Sequence, residues 1–195
     1  MCYHFKQTKT IKDLEKKFKA TIDSSETLKP SADINGFKYP KTPIITNLDS
    51  SKIQLFNWGL VPDWANEDWN RNYTLNARVE TLSEKPAFKN YTENRCIILV
   101  DGFYEWQHKG KEKIKFDIGF NNQVFAFAGL YSNNTYTIVT TEAKGIMREI
   151  HNTKLRMPFS LKTDNDFKNW LNMEEVNPQY DFTTNQLGFS QPTLF

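Results

Sequence analysis

The second residue of this 195-residue chain is a cysteine, and its position decides what chemistry it can do. An initiator methionine followed by a residue as small as Cys2 is a substrate for methionine aminopeptidase. Its removal leaves a thiol and a free α-amine on adjacent carbons. The thiol ordinarily titrates near ~8.5 and the amine near ~8, so a fraction of each is nucleophilic at cellular pH. Such a 1,2-aminothiol can do what an internal cysteine cannot. Its amine forms a Schiff base with an aldehyde, and its thiol then closes the imine to a thiazolidine ring. Cys2 alone proves nothing, because this chemistry needs partners elsewhere in the chain.

Two residues have the right character. Glu105 sits between Tyr104 and Trp106, an apolar setting that raises a carboxyl pKa and suits it to proton transfer. The alternative is a carboxylate hydrogen-bonded for structural reasons. His151 stands at an element boundary before Arg156-Met157-Pro158, where a histidine can be solvated, structural or catalytic. Among the tryptophans, Trp58 reads as core, whereas Trp69, set among Asn and Asp, suits an exposed stacking surface. The other cysteine, Cys96, lies in the apolar run Cys96-Ile97-Ile98-Leu99-Val100 and reads as a buried, inert thiol. There is no CxxC, HxxxH or carboxylate cluster at ligand spacing, so no metal and no cofactor is expected. No glycine-rich phosphate loop is present either.

The elements that must position these residues can be read in outline. Thr10-Ile11-Lys12-Asp13 is a capping-box pattern opening a helix from about Ile11 to Ala20, and Thr163-Asp164-Asn165-Asp166 opens another carrying Phe167, Trp170 and Leu171. Residues 24–41 are turn-rich and read as an irregular loop. Strands are expected at Ile44-Ile45 and over Ile53 to Leu60, with a short helix around Pro86 to Tyr91. From Arg95 to Thr141 alternating apolar residues and the turns Asn121-Asn122 and Ser132-Asn133-Asn134 predict an antiparallel meander. Lys144 to Ile150 reads as a helix leading into His151. From about Val176 the chain is polar and aperiodic, and reads as a tail.

Length and composition fit one globular domain: 38% hydrophobic, 14% aromatic. With 25 basic against 23 acidic residues the net charge is only +2, so any basic groove must arise from arrangement in space. Two cysteines make no disulfide framework, and neither a membrane span nor a signal-peptide core is visible. A soluble, cytoplasmic monomer with no membrane association is expected.

Taken together, the segments resemble the SRAP family, the abasic-site processing proteins once called SOS-response-associated peptidases. The matching blocks are Met1-Cys2 with Phe5; Trp58 to Pro62 with Trp64; Asn76-Ala77-Arg78-Val79-Glu80-Thr81; and Arg95-Cys96 through Asp101-Gly102-Phe103-Tyr104-Glu105-Trp106. Phe127 to Tyr131, Thr140 to Ala143, and Ile150-His151 with Arg156-Met157-Pro158 follow in the family's order. The resemblance implies an α+β fold, a single compact domain with an antiparallel β-barrel-like core flanked by short helices. That domain would occupy residues 1–175, with 176–195 a flexible tail. It implies that Cys2, freed of Met1, captures the ring-opened aldehyde of an abasic site in single-stranded DNA as a thiazolidine crosslink. By the same resemblance Asn76 holds the adduct or its sugar, Glu105 shuttles protons, and His151 assists ring opening and reversal. His4, Trp69, Arg78, Thr140 and Arg156 are the implied DNA contacts, and the protein would be nucleoid-associated when bound. Lyase activity and autoproteolytic release of Met1 are compatible with this reading. Two departures stand out. Tyr3-His4 replaces the family's usual Gly-Arg, and Thr153-Lys154-Leu155 lengthens the segment between His151 and Arg156. Two other readings of Cys2 stay open: an N-terminal-nucleophile amidohydrolase, and a non-catalytic single-strand-binding module in which Cys2 is idle.

The last residues, Gln191-Pro192-Thr193-Leu194-Phe195, resemble the short peptides that bind the bacterial sliding clamp, with Gln191 on backbone and Leu194-Phe195 in an apolar cleft. A synthetic peptide of this sequence should bind a bacterial clamp with micromolar-range affinity, about −7 to −8 kcal/mol. Replacing Leu194 and Phe195 by alanine should remove that binding, as read by fluorescence anisotropy.

Overall fold

A computed structural model describes residues 2–190, with side chains described through 188. The chain opens with β1 (His4–Gln7), α1 (Ile11–Phe18), the short β2 (Thr21–Ile22) and β3 (Ser31–Asn35). β4 (Lys41–Thr46) and β5 (Lys52–Trp58) form a hairpin, and β6 (Asn76–Arg78) follows a long aromatic loop. β7 (Arg95–Val100), β8 (Gly102–Lys109), β9 (Glu112–Gly119), β10 (Phe125–Ser132) and β11 (Thr135–Glu142) come nearly without interruption. The short helix α2 (Met147–Ile150), β12 (Arg156–Pro158), β13 (Ser160–Leu161), α3 (Asp164–Leu171) and β14 (Thr183–Ser190) complete the fold.

These strands make two sheets. The smaller runs β14-β9-β8-β1-β3, so the N-terminal strand lies inside it, between β8 and β3. The larger runs β12-β11-β10-β7-β4-β5-β2, with β13 on β10 and β6 on β11. A parallel contact of β5 with β11, Asn57 opposite Thr135 and Trp58 opposite Tyr136, bends this sheet back on itself. The result is the α+β arrangement with a barrel-like core and few short helices.

The apolar run Cys96–Val100 shows why β7 has no polar face. Cys96, Ile98 and Val100 point into a cluster with Phe5, Trp58, Phe103, Phe127 and Tyr136. Ile97 and Leu99 point the other way, into a cluster with Leu14 of α1 and with Phe167 and Trp170 of α3. A strand covered on both sides reads as continuous hydrophobicity, not alternation. Both capping boxes are formed: Thr10 accepts from the Asp13 amide, and Thr163 from the Asp166 amide. They stop each helix from fraying at its start, so that its apolar stripe is delivered to the sheet.

Four segments differ from the sequence reading. The meander expected from Arg95 to Thr141 is instead two hairpins in different sheets, β8–β9 in the smaller and β10–β11 in the larger. β7 pairs with β10 and β4, because its two apolar faces must both be covered. Within residues 24–41, Ser31–Asn35 is a strand, because β1 offers it main-chain partners at His4 and Phe5. Around Pro86 there are only turns and a single 3-10 turn at Lys89–Tyr91, too short for a helix to nucleate. Beyond Val176 the chain is not all tail: Thr183–Ser190 pairs antiparallel with β9 along its whole length. Main-chain hydrogen bonds at a sheet edge require no side-chain periodicity, which is why composition hid both strands. The clamp-like segment with Gln191, Leu194 and Phe195 lies outside the described residues.

Gly129 in β10 is forced by packing. A Cβ there would sit 2.5 Å from Ile98 Cδ1, 2.8 Å from the Thr137 carbonyl oxygen and 2.9 Å from Cys96 Sγ. The carbonyl belongs to the neighbouring strand and cannot step aside. Gly129→Ala should therefore destabilise the fold by about 1–3 kcal/mol, the usual range for overpacking. Leu48→Ala, at a site 85% exposed, should stay within about 0.5 kcal/mol. Urea unfolding of the two variants checks both values.

Candidate active site at the head of β1

β1 carries Cys2 into the space between the sheets, where it is fully buried beside Phe5 and Trp58. Its thiol makes a long contact, 3.6 Å, with the His4 carbonyl. Asn76 begins β6, and pairing opposite Ile138 of β11 sets its position along the barrel. From there its Nδ2 donates to the Cys2 carbonyl at 2.8 Å. Its Oδ1 is buried and accepts no hydrogen bond from the described residues.

Glu105 lies on β8, two residues beyond the core residue Phe103, and period-two alternation turns both side chains to the inner face. It is 5% exposed, and burial pushes its carboxyl up from 4.5 to about 7. His151 caps the C-terminus of α2, with Nε2 3.8 Å from Glu105 Oε2. Its Nδ1 lies 2.8 Å from the Arg156 carbonyl oxygen and 3.1 Å from the Arg156 amide. The shorter contact favours Nδ1–H donation to the carbonyl, which leaves the Nε2 lone pair toward Glu105. Burial lowers His151 to about 4, so the ring is neutral at pH 7. Burial, reinforced by the charge of Glu105, pushes the Cys2 thiol far up, so it is protonated at rest. The structure thus brings Cys2, Asn76, Glu105 and His151 into one linked group.

Residues that sequence reasoning gave no role hold this group in place. Gln107 Nε2 donates to the Glu149 carbonyl at 3.0 Å. Asn152 takes both main-chain groups of His108: its Oδ1 accepts from the amide at 3.1 Å, and its Nδ2 donates to the carbonyl at 2.8 Å. Together they tie the α2–His151 segment to β8, the strand bearing Glu105. On the other side, Glu80 receives a bidentate fork from Arg156, both contacts 2.9 Å. The only hint of these was adjacency: Asn152 follows His151, and Glu80 shares a block with Asn76 and Arg78.

The expected DNA contacts divide. Arg78, at the end of β6, is exposed and makes no ion pair among the described residues. His4 is engaged by Asp33 at 2.8 Å and edges the Trp106 ring at 5.3 Å. Trp69 is half-buried, donates to the Leu60 carbonyl at 3.3 Å and meets Trp64 edge-on at 5.1 Å. Trp64, 53% exposed, is the ring of that pair that faces solvent. Thr140 is fully buried, its hydroxyl donating to the Ala77 carbonyl. Arg156 is also buried, its fork spent on Glu80 and the Thr140 carbonyl. Thr140 and Arg156 therefore act within the protein framework around His151, and their polar groups are not presented at the surface.

The chain belongs to the SOS response associated peptidase (SRAP) family, whose profile matches residues 1–188. It is 40% identical over 149 residues to the abasic site processing protein YoqW of Bacillus subtilis, covering 70% of this chain and 65% of that protein. The abasic site processing protein HMCES of Xenopus tropicalis is 30% identical over 163 residues, 66% of this chain and 48% of that protein. The match thus spans less than two thirds of the bacterial relative and about half of the vertebrate one. A crystal structure of a Bacteroides thetaiotaomicron protein superposes with a TM-score of 0.87 at 29% identity, covering 96% of this chain and 92% of that one.

Glu105 and His151 make opposite contributions to stability against pH. Glu105 holds its proton more tightly folded than unfolded, so its contribution is complete below pH 4.5 and is lost as pH rises through about 7. His151 binds a proton less well folded, so its contribution is complete above pH 6.5 and is lost as pH falls through about 4. Glu105→Gln removes only the first effect. Relative to wild type, this variant should gain on the order of 2–4 kcal/mol between pH 4.5 and pH 8, read from urea midpoints across that range. A constant difference would show that Glu105 is ionised in the fold at pH 5.

Proposed function

We propose that this chain captures abasic sites in single-stranded DNA as a covalent thiazolidine at Cys2, once Met1 has been removed, and shields the lesion during replication-coupled repair. Family membership and the names of its relatives support the substrate. The observation that carries the reading is the linkage of a buried thiol, a carboxyl that titrates near neutrality and a neutral imidazole.

The sugar opens first. Neutral His151 takes the proton of the hemiacetal hydroxyl and delivers it to the ring oxygen as the carbon–oxygen bond of the ring breaks, so the aldehyde is freed and the imidazole is neutral again. The Cys2 amine adds to the aldehyde carbon. Protonated Glu105 gives its proton to the departing hydroxyl, which leaves as water, and a protonated imine and a Glu105 carboxylate remain. The carboxylate then takes the thiol proton as sulfur bonds to the imine carbon. Ring closure leaves nitrogen neutral and restores Glu105 to its acid form. A thiol pKa raised by burial keeps sulfur silent until the imine exists, so the amine acts first. Asn76 holds the Cys2 carbonyl through Nδ2 and offers Oδ1 to the new ring nitrogen or the sugar. The product has no imine to drive strand cleavage by elimination. Arg78 serves a phosphate beside the lesion, a contact that fixes position without reading bases.

The test is a denaturing gel of the Met1-processed protein with an abasic single strand. Wild type and Cys96→Ala should give a heat-stable shifted band, and Cys2→Ala should give none. Cys2→Ser should give a band only after borohydride reduction, because it forms an imine and cannot close the sulfur ring. Equal crosslinking by Cys2→Ala would sink the mechanism. A native-gel shift without covalent product would favour a binding module, and amide cleavage alone an N-terminal-nucleophile hydrolase.

A further inference from the structure

Directly after Cys2 the chain carries an aromatic surface that the capture chemistry does not use. Tyr3 stacks on Phe37 with centroids 4.9 Å apart and planes inclined by 30°. Phe37 is 48% exposed, so the outer side of the stack is open to solvent. The turn that presents it is rigid. The Gly36 amide donates to the Tyr3 carbonyl at 2.9 Å, and Asn35 Oδ1 accepts from the Phe37 amide at 2.9 Å. Gly36 itself lies against the Trp58 indole, so close that a Cβ would be 3.0 Å from the ring. The turn is therefore pinned to the core on one side and to the residue beside the nucleophile on the other. Lys38, next in the chain, is exposed.

A fixed, solvent-facing ring stack with a cation beside it has the chemistry of a base-stacking platform for single-stranded nucleic acid. We infer that the Tyr3–Phe37 stack is a binding site for the base of one nucleotide neighbouring the lesion, with Lys38 toward its phosphate. This rests on the reading of Cys2 as the lesion-capturing residue. The occupant follows from continuity: a strand whose abasic carbon reaches Cys2 has its neighbouring nucleotide within about one nucleotide length of residue 3. An abasic site offers no base to stack on, so a platform one step away supplies the grip that the lesion itself cannot. It would also make this protein favour an abasic site flanked by an intact base over one in a run of base losses.

The test uses three single strands: an abasic site between two bases, and the same site with its upstream or its downstream neighbour replaced by a base-free spacer. At limiting protein, wild type should capture the fully flanked strand about tenfold faster than one of the spacer strands, equivalent to about 1.4 kcal/mol. Phe37→Ala should erase that preference by slowing capture of the flanked strand, and Phe37→Trp should retain it. Phe37 is exposed, so the variants should fold. A second measurement needs no adduct. 2-Aminopurine beside an unreactive tetrahydrofuran lesion should be quenched on binding wild type and not on binding Phe37→Ala. If adducts form equally on all three strands and quenching is unchanged by Phe37→Ala, the platform is wrong while the capture reading stands. If no adduct forms but quenching follows Phe37, the capture reading fails and the stacking site stands.

Discussion

Everything at the site is measured from β1. Chain ends are usually the least ordered part of a domain, because they have partners on one side or none. Here the N-terminal strand is interior to a sheet. His4, Phe5 and Lys6 lie opposite Tyr104, Phe103 and Gly102 of β8, while His4 and Phe5 also lie opposite Asn35 and Ile34 of β3. Phe5 is fully buried, 5.0 Å from Trp58 and 6.1 Å from Phe127 between ring centroids. Lys6 is held by Asp117 at 2.6 Å, and the Thr8 amide by Asp101 at 2.8 Å. These contacts give the first residues of the chain the rigidity of a core strand. Without them the Asn76–Cys2 hydrogen bond would have no fixed carbonyl to meet.

The second consequence of that burial is electrical. A carboxyl and an imidazole both brought out of water are driven toward neutrality from opposite sides. The acid goes up to about 7 and the base goes down to about 4, so at pH 7 the imidazole is neutral and the carboxyl stands near its midpoint, and the two share a space out of water without a full ion pair. Asn152, Gln107 and the Arg156–Glu80 fork matter because a 3.8 Å relation between Glu105 and His151 is sensitive to small movements of two separate elements.

Much of this was legible in the sequence for reasons that can be named. The two capping boxes, the hairpins β8–β9 and β10–β11 and the buried Cys96 are local patterns, and local patterns survive folding. The single meander expected from Arg95 to Thr141 does not, because β7 pairs with β10 and β4 while β8 and β9 join the other sheet. Cys2, Asn76, Glu105 and His151 were singled out through family motifs, and the fold brings them together. What stayed hidden depends on partners distant in sequence. β3 and β14 are strands because β1 and β9 offer them edges, which no window around residue 33 or 186 reveals. Thr140 and Arg156 were DNA contacts only by the family resemblance. Whether a guanidinium meets a phosphate or a carboxylate depends on whether Glu80 arrives beside it, and that is a tertiary fact. Phe37 gave no signal because a lone aromatic in a turn-rich stretch reads as packing.

The interior position of β1 also imposes an order of events during synthesis. The first residues leave the ribosome long before β8, their neighbour on one side, has been translated. In that interval the N-terminal segment lacks half of its sheet, and its edge toward β8 stands open. Once β8 docks, the second residue is sealed at 0% exposure. The docking of β8 thus divides the life of the Cys2 thiol in two: open to any solute before, and afterwards reached only by what enters between the sheets.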